Sequence, residues 1–276
     1  MSISVHTNKS ALIALRTLNG THDQLGEAQS RISTGLRIKN AKDNSAVWAI
    51  AQGQRADVGA LSAVTTSLQR ATSIAEVSFT AGETISDLLV EMKSKVVAAM
   101  DTSLDAAARN ALDSDFKAIL RQITQVVQTS SFDGANLLSG AAGNFQFLSN
   151  PESTSRLTLS TRTLALGGSN ITITAAAGIT TATMAATVLA RLDASLTNVN
   201  QALGNLGSQA KQIEAHLKFV SKLSDALTVG IGNLVDADLA KESARLQALQ
   251  VQQQLGAQSL SIANSGPQII LQLFRQ

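Results

Sequence analysis

Cysteine and tyrosine are absent from this chain, tryptophan occurs once and proline only twice. Without cysteine there is no disulfide, no thiolate metal site and no cysteine nucleophile. Aromatic residues make up 3% of the 276 positions, as seven phenylalanines and Trp48. Enzymes of this length usually carry more rings in core and pocket, so the composition argues against a ring-lined substrate site. Charge of one sign is also lacking: 22 basic residues face 20 acidic ones for a net +2, too scattered for a nucleic-acid surface. No apolar run approaches the roughly 18–20 residues of a membrane span, so no membrane insertion is expected. The opening MSISVHTNKS lacks the long apolar stretch and small-residue cleavage site of a secretory signal. Export by a route that needs no cleaved signal stays open.

What is present is helix-forming. Hydrophobic residues reach 44%, dominated by alanine and leucine, and both favour helix. Because the strongest helix breaker occurs only at Pro151 and Pro267, long helices are permitted almost everywhere. A heptad-like stripe, Leu18, Leu25 and Ile32 flanked by Ala14, Leu15 and Ala28, predicts a helix over about residues 8–35, with Gly35 as its stop. Residues 44–99 read as a second helix capped by Asp43 or Asn44, with Leu61, Val64, Leu68 and Ala71 on one face. Gly53, Gly59 and Gly82 weaken that reading, since each costs about 1 kcal/mol against alanine. A break at Asp101–Ser103 precedes a third helix over about 104–129, whose buried face is Leu112, Phe116, Ile119, Ile123 and Val126. Residues 130–143 read as loop. Two period-two runs, Arg156–Arg162 and Asn170–Thr174, predict short strands. Helix returns at about 184–233 and again at about 236–264, before Asn264-Ser-Gly-Pro267 is expected to interrupt it.

The placement of these elements is informative. In the last helix Ala237, Lys241, Ala244, Ala248, Val251, Leu255, Gln258 and Ile262 alternate by four and three, a heptad seam with two polar members. Heptad helices thus stand at both ends of the chain, with the strands in the middle. An isolated amphipathic helix is marginal in water, so pairing the first helix with the last as a coiled coil is the simplest solution. Stripes of this kind usually form an intramolecular core. Their terminal placement and small-residue seam favour an assembly surface, comprising Leu18, Leu25, Ile32, Ala244, Ala248, Val251, Leu255 and Ile262.

Candidates for chemistry are few. His6, His22 and His216 lie far apart and match no metal-ligand spacing such as H-E-x-x-H. Gly167-Gly168 and Gly230-x-Gly232 match no phosphate-binding loop, and read as turn or packing glycines. Asp236 and Asp238 stand at a helix start, where capping explains them better than acid/base work. Trp48 reads as a packing anchor between helices rather than a ligand platform. No catalytic residue, metal site or cofactor is expected.

Ser4-Val-His-Thr-Asn8 with Ala11-Leu12 resembles the opening I-N-T-N and A-L of bacterial flagellins, the alphaproteobacterial type in particular, although Ser4-Val-His departs from I-N. Leu18-Asn-Gly-Thr21 resembles L-N-x-T, and Arg31-Ile-Ser-Thr-Gly-Leu-Arg-Ile38 resembles the family's strongest signature. Ala41-Lys-Asp-Asn44, Trp48-Ala-Ile-Ala51 and Phe132-Asp-Gly134 follow in order. Asp236-Ala-Asp238, Gln250-Val-Gln-Gln-Gln254, Ala263-Asn264, Pro267-Gln268 and Leu271-x-Leu273-x-Arg275 complete the series, with Gln276 after the usual end.

The resemblance implies a mostly α fold, a long helical hairpin or coiled-coil bundle with a small β element. A terminal coiled-coil domain, 1–43 plus 235–276, would line the filament's inner tube. A helical shaft, 44–143 plus 183–234, would follow, with a short β-rich outer segment at 144–182. It implies a subunit of the extracellular bacterial flagellum that polymerises with itself and other flagellins for swimming motility. It further implies partnership with cap and hook–filament junction proteins, an export chaperone and the type III export apparatus. A junction or adaptor protein sharing the terminal helices is the alternative. Flagellins that activate the mammalian Toll-like receptor share a segment resembling R-V-R-E-L-A-V. The matching stretch is Glu91–Val97, in which Lys93 keeps a basic position, Ser94 replaces the acid and Lys95 replaces a leucine. Weak receptor activation is the expectation.

Overall fold

The computed structural model describes residues 8–141 and 143–273, with side chains to Ser265. The motif residues Ser4–Thr7 (His6 among them) and those from Phe274 onward lie outside that range. Among the described residues are five helices, α1 (Lys9–Thr34), α2 (Ser45–Ala99), α3 (Ala106–Thr129), α4 (Ala182–Val235) and α5 (Leu239–Leu273), and two strands, β1 (Phe145–Leu148) and β2 (Arg156–Leu159). The fold is mostly α with a two-stranded antiparallel sheet in the middle of the chain, Phe145 opposite Leu159 and Leu148 opposite Arg156.

Each helix begins where a polar side chain offers an oxygen to a backbone N–H three residues on. Asn8 Oδ1 accepts from Ala11 at 3.1 Å, Asn44 from Val47 at 3.1 Å and Asp105 from Ala108 at 2.6 Å. Thr181 accepts from Met184 at 3.2 Å and Asp238 from Lys241 at 3.1 Å. A helix start leaves four N–H groups without intrahelical partners, and each of these oxygens satisfies at least one, Asp238 taking that of Ala240 as well. Asp238 is therefore a cap, as its position in the sequence suggests. Gly35 closes α1 at φ 70°, its N–H bonded to Arg31 O at 2.9 Å, a left-handed conformation open to glycine at no steric cost.

The chain divides into two compact units, one of residues 1–56 with 226–276 and one of residues 57–225. The second holds the larger core, built from Leu89 and Met92 of α2, Phe116 and Ile123 of α3, and Leu192 and Val199 of α4. Gly82 of α2 is placed so that a Cβ there would collide with Leu203 of α4. That close approach is why glycine is found inside a helix it otherwise weakens.

Three expectations are corrected. Asn170–Thr174 is not a strand: beyond a single bridge from Leu166 to Ile171, the Thr172 N–H donates to the Ser195 hydroxyl of α4 at 3.1 Å. Its alternation is real, with Ile171 and Ile173 fully buried, but its backbone bonds are split between side chains of α4 and N–H groups of neighbouring loops rather than a strand partner. The strand at Arg156 stops at Leu159, and its partner β1, Phe145–Leu148, is a four-residue run outside the strands expected from the sequence. Pro267 does not end the last helix, since α5 continues to Leu273. Gly230 and Gly232, read as turn or packing glycines, lie inside α4.

Candidate assembly surface

Within the first unit α1 and α5 run antiparallel against each other. Proceeding along α1, Asn8 meets Ala263, Leu18 meets Gly256, Leu25 and Ala28 meet Leu249, and Arg31 meets Glu242. The α5 residues in this seam, 242, 246, 249, 256 and 263, keep a heptad spacing. The seam is tight because its residues are small: a Cβ on Gly256 would stand 3.2 Å from Leu18 Cδ1. Arg31 Nη1 donates to Glu242 Oε1 at 3.0 Å, and Arg31 also pairs with Glu27 one turn back. Glu242 is buried, and its Oε2 has no hydrogen-bond partner. Among the described side chains the apolar core of the pair is Leu25, Ala28 and Leu249 with Leu246 beside them.

The seam read from the sequence lies half in this pair. Leu25 is buried, and Leu18 and Ile32 are half-buried on the same face. Ala244, Ala248, Val251, Leu255 and Ile262 are all exposed, so the heptad on α5 that looks most apolar is not the one that meets α1. The two heptads differ by two positions, about 150° around the helix, nearly opposite faces. Val251 is 56% exposed, Leu255 58% and Ile262 66%. Nothing in a hydrophobic pattern marks Glu242, Gly256 or Ala263 as interior, which is why the pairing face of α5 escapes notice.

Apolar exposure concentrates in this unit. Of fifteen large hydrophobic side chains exposed among the described residues, nine fall in 1–56 or 226–276, including Leu12, Ile13 and Ile50. That unit is the smaller of the two, so the excess is a property of the unit, with seven of the nine on α1 and α5. Scattered single hydrophobics need no explanation, whereas a stripe of them marks a contact site.

At the connection between α1 and α2, Arg37 and Ile38 N–H groups donate to Val235 O at 2.7 and 3.2 Å, and Ala237 N–H donates to Gly35 O at 2.8 Å. Ile38, Ala51 and Val235 are buried there, with Trp48 packed against them. The signature Arg31–Ile38 thus ties the first helix to the start of the last. In the second unit Lys93 pairs with Asp193 of α4 and Lys95 with Asp115 of α3, while Ser94 is exposed. The hydrogen bond and charge of Asp115 raise the Lys95 pKa above its ordinary value. His22 is exposed, and His216 Nε2 lies 2.7 Å from Ser149 O. No group of three or more His, Asp or Glu able to hold a metal ion occurs among the described residues.

Two family models match this arrangement of chain ends. Residues 5–143 match the bacterial flagellin N-terminal helical region and residues 189–274 the C-terminal helical region. The chain belongs to the bacterial flagellins. It is similar to Flagellin FljJ of Caulobacter vibrioides, 51% identical over 100% of this chain and 99% of that one. A flagellin of Brucella melitensis is 36% identical over 99% of each. The crystal structure of Bacillus cereus flagellin shares the fold at a TM-score of 0.50 and 19% identity, over 56% of this chain and 88% of that one. This flagellin is accordingly a structural subunit of the extracellular filament, one that polymerises with its own kind for motility. No described helix is long and apolar enough to cross a membrane.

Proposed function

We propose that the first unit is the polymerising part of this flagellin and that the exposed stripe Val251, Leu255 and Ile262 is one of the surfaces by which subunits meet. The observation that supports this is the pair of faces on α5: one is used by α1, and the opposite one leaves its largest apolar side chains in water. A heterologous contact of such a stripe with a different face of the next copy generates an open helical polymer. The terminal segments 1–43 and 235–276 line the inner tube, residues 44–143 with 183–234 form the shaft, and 144–182 form the short outer segment. The partners are itself, other flagellins, the distal cap and the hook–filament junction proteins, with an export chaperone and the type III apparatus acting before assembly. The chain performs no catalysis. Lys93, Ser94 and Lys95 make it a weak ligand for the mammalian Toll-like receptor.

Leu255→Asp tests the assembly reading. The side chain is exposed in the single chain, so the variant keeps the helical signal and melting of the free subunit. Polymerisation onto filament seeds should be lost. Filaments of normal yield and length from this variant would refute the stripe as an interface.

A further inference from the structure

The two ends of the α1–α5 pair carry motifs whose separate presence neither helix explains. Pro267 stands inside α5 yet has no N–H. In a helix that N–H would donate to the carbonyl four residues back, here Ala263. The Ala263 carbonyl is not left alone: Asn8 Nδ2 donates to it at 2.7 Å, across 255 positions of sequence. The same amide group uses its oxygen to cap α1, accepting from Ala11 N–H at 3.1 Å. We propose that Asn8 is a register clasp, which caps the first helix with one atom and with the other supplies the donor that Pro267 withholds from the last helix.

Chemistry selects asparagine. Aspartate and serine both cap a helix as well as asparagine does, and aspartate adds a favourable charge at the N-terminal dipole. An ionised aspartate has no donor at all, and the serine hydroxyl, although it can donate while it accepts, sits one bond closer to the backbone than the asparagine amide nitrogen and falls short of the Ala263 carbonyl. Proline, for its part, places the free carbonyl at one point along α5, so the bond can form in a single alignment of the two helices. Between the ends the described apolar core is small, Leu25, Ala28 and Leu249 with Leu246 beside them, and Gly256 and Ala263 add little shape to fix a register. A one-turn slip would also part Arg31 from Glu242. The two ends of the pair are therefore pinned by polar bonds, and the middle is packed by a small apolar cluster.

The test is the critical concentration for polymerisation of the full chain onto seeds, measured for the native chain, Asn8→Asp, Asn8→Ser, Pro267→Ala and the double variant Asn8→Asp with Pro267→Ala. If Asn8 only caps, Asn8→Asp and Asn8→Ser polymerise like the native chain or slightly better. The clasp predicts the opposite sign: both raise the critical concentration by at least about fivefold, the cost of a carbonyl left unpaired. Alanine at 267 restores the helix's own donor, so the Asn8→Asp defect should fall below about twofold in that background. Native behaviour of Asn8→Asp and Asn8→Ser would overturn the clasp, as would an undiminished Asn8→Asp defect beside Ala at 267. Should Pro267→Ala fail to polymerise by itself, the sign of the two Asn8 variants still decides.

Discussion

Leu25 and Leu255 are the same residue type at the same kind of helical position, and they separate two contributions to assembly. Leu25 is 9% exposed, inside the α1–α5 pair, and Leu255 is 58% exposed on the far side. Leu25→Asp should therefore unpair the terminal helices within one subunit, losing roughly 1.5–3 kcal/mol of burial before any penalty for the charge. Leu255→Asp should leave that pair intact. Both variants fail to polymerise, but only Leu25→Asp should lose amide protection in α1 and α5, a difference that hydrogen exchange on the soluble subunits would read. Equal protection in the two would contradict the assignment of faces. Gly82→Ala gives a control in the other unit. Its Cβ would overlap Leu203, so the melting temperature should drop by several degrees, as overpacking costs about 1–3 kcal/mol. An unchanged melt would show that the helices yield there. The receptor segment is a third residue-scale case. The Lys93–Asp193 and Lys95–Asp115 pairs sit at the surface, where such pairs contribute little. Ser94→Glu with Lys95→Leu should then fold normally and raise potency in a reporter-cell titration about thirtyfold, equivalent to about 2 kcal/mol at a central contact. No gain would mean that the segment reflects helix packing alone.

At the scale of elements, helices were legible because caps and stops are local. Asn44, Asp238 and Gly35 act within one turn of the backbone, and each is visible as a residue type in place. The middle of the chain was less legible, because its bonds are not local: Thr172 is held by Ser195, and Gln209 Oε1 accepts from Ser160 at 3.1 Å. Pro267 misled for a related reason, since the group that compensates it is Asn8, at the other end of the chain. The α5 stripe is the sharpest instance. A hydrophobic heptad reports where water is to be excluded without saying by which chain, and here its larger side chains point away from α1. The element-scale consequence is marginal pairing. Three buried apolar residues are a small return for ordering helices of 26 and 35 residues, at about 1–2 kcal/mol of backbone entropy per residue. Limited proteolysis of free subunits should therefore trim both ends first and leave a fragment near residues 57–225. Ends and centre cut at equal rates would count against it.

At the scale of the molecule, the two units divide the work between them. One has a large core of its own in which α2, α3 and α4 bury Phe116, Leu89 and Leu192. The other has a small core and more than its share of exposed apolar side chains. On the proposed assembly, a chain so built is stable in one part and completed by neighbours in the other, as in folding coupled to binding. The most direct measurement is the structure of the filament by electron cryomicroscopy at a resolution that places side chains. It should show Val251, Leu255 and Ile262 enclosed by residues of adjacent subunits, with Arg31 still on Glu242 and Leu25 still against Leu249 within each copy. A filament in which that stripe faces open solvent, on the lumen or on the outside, would contradict the account.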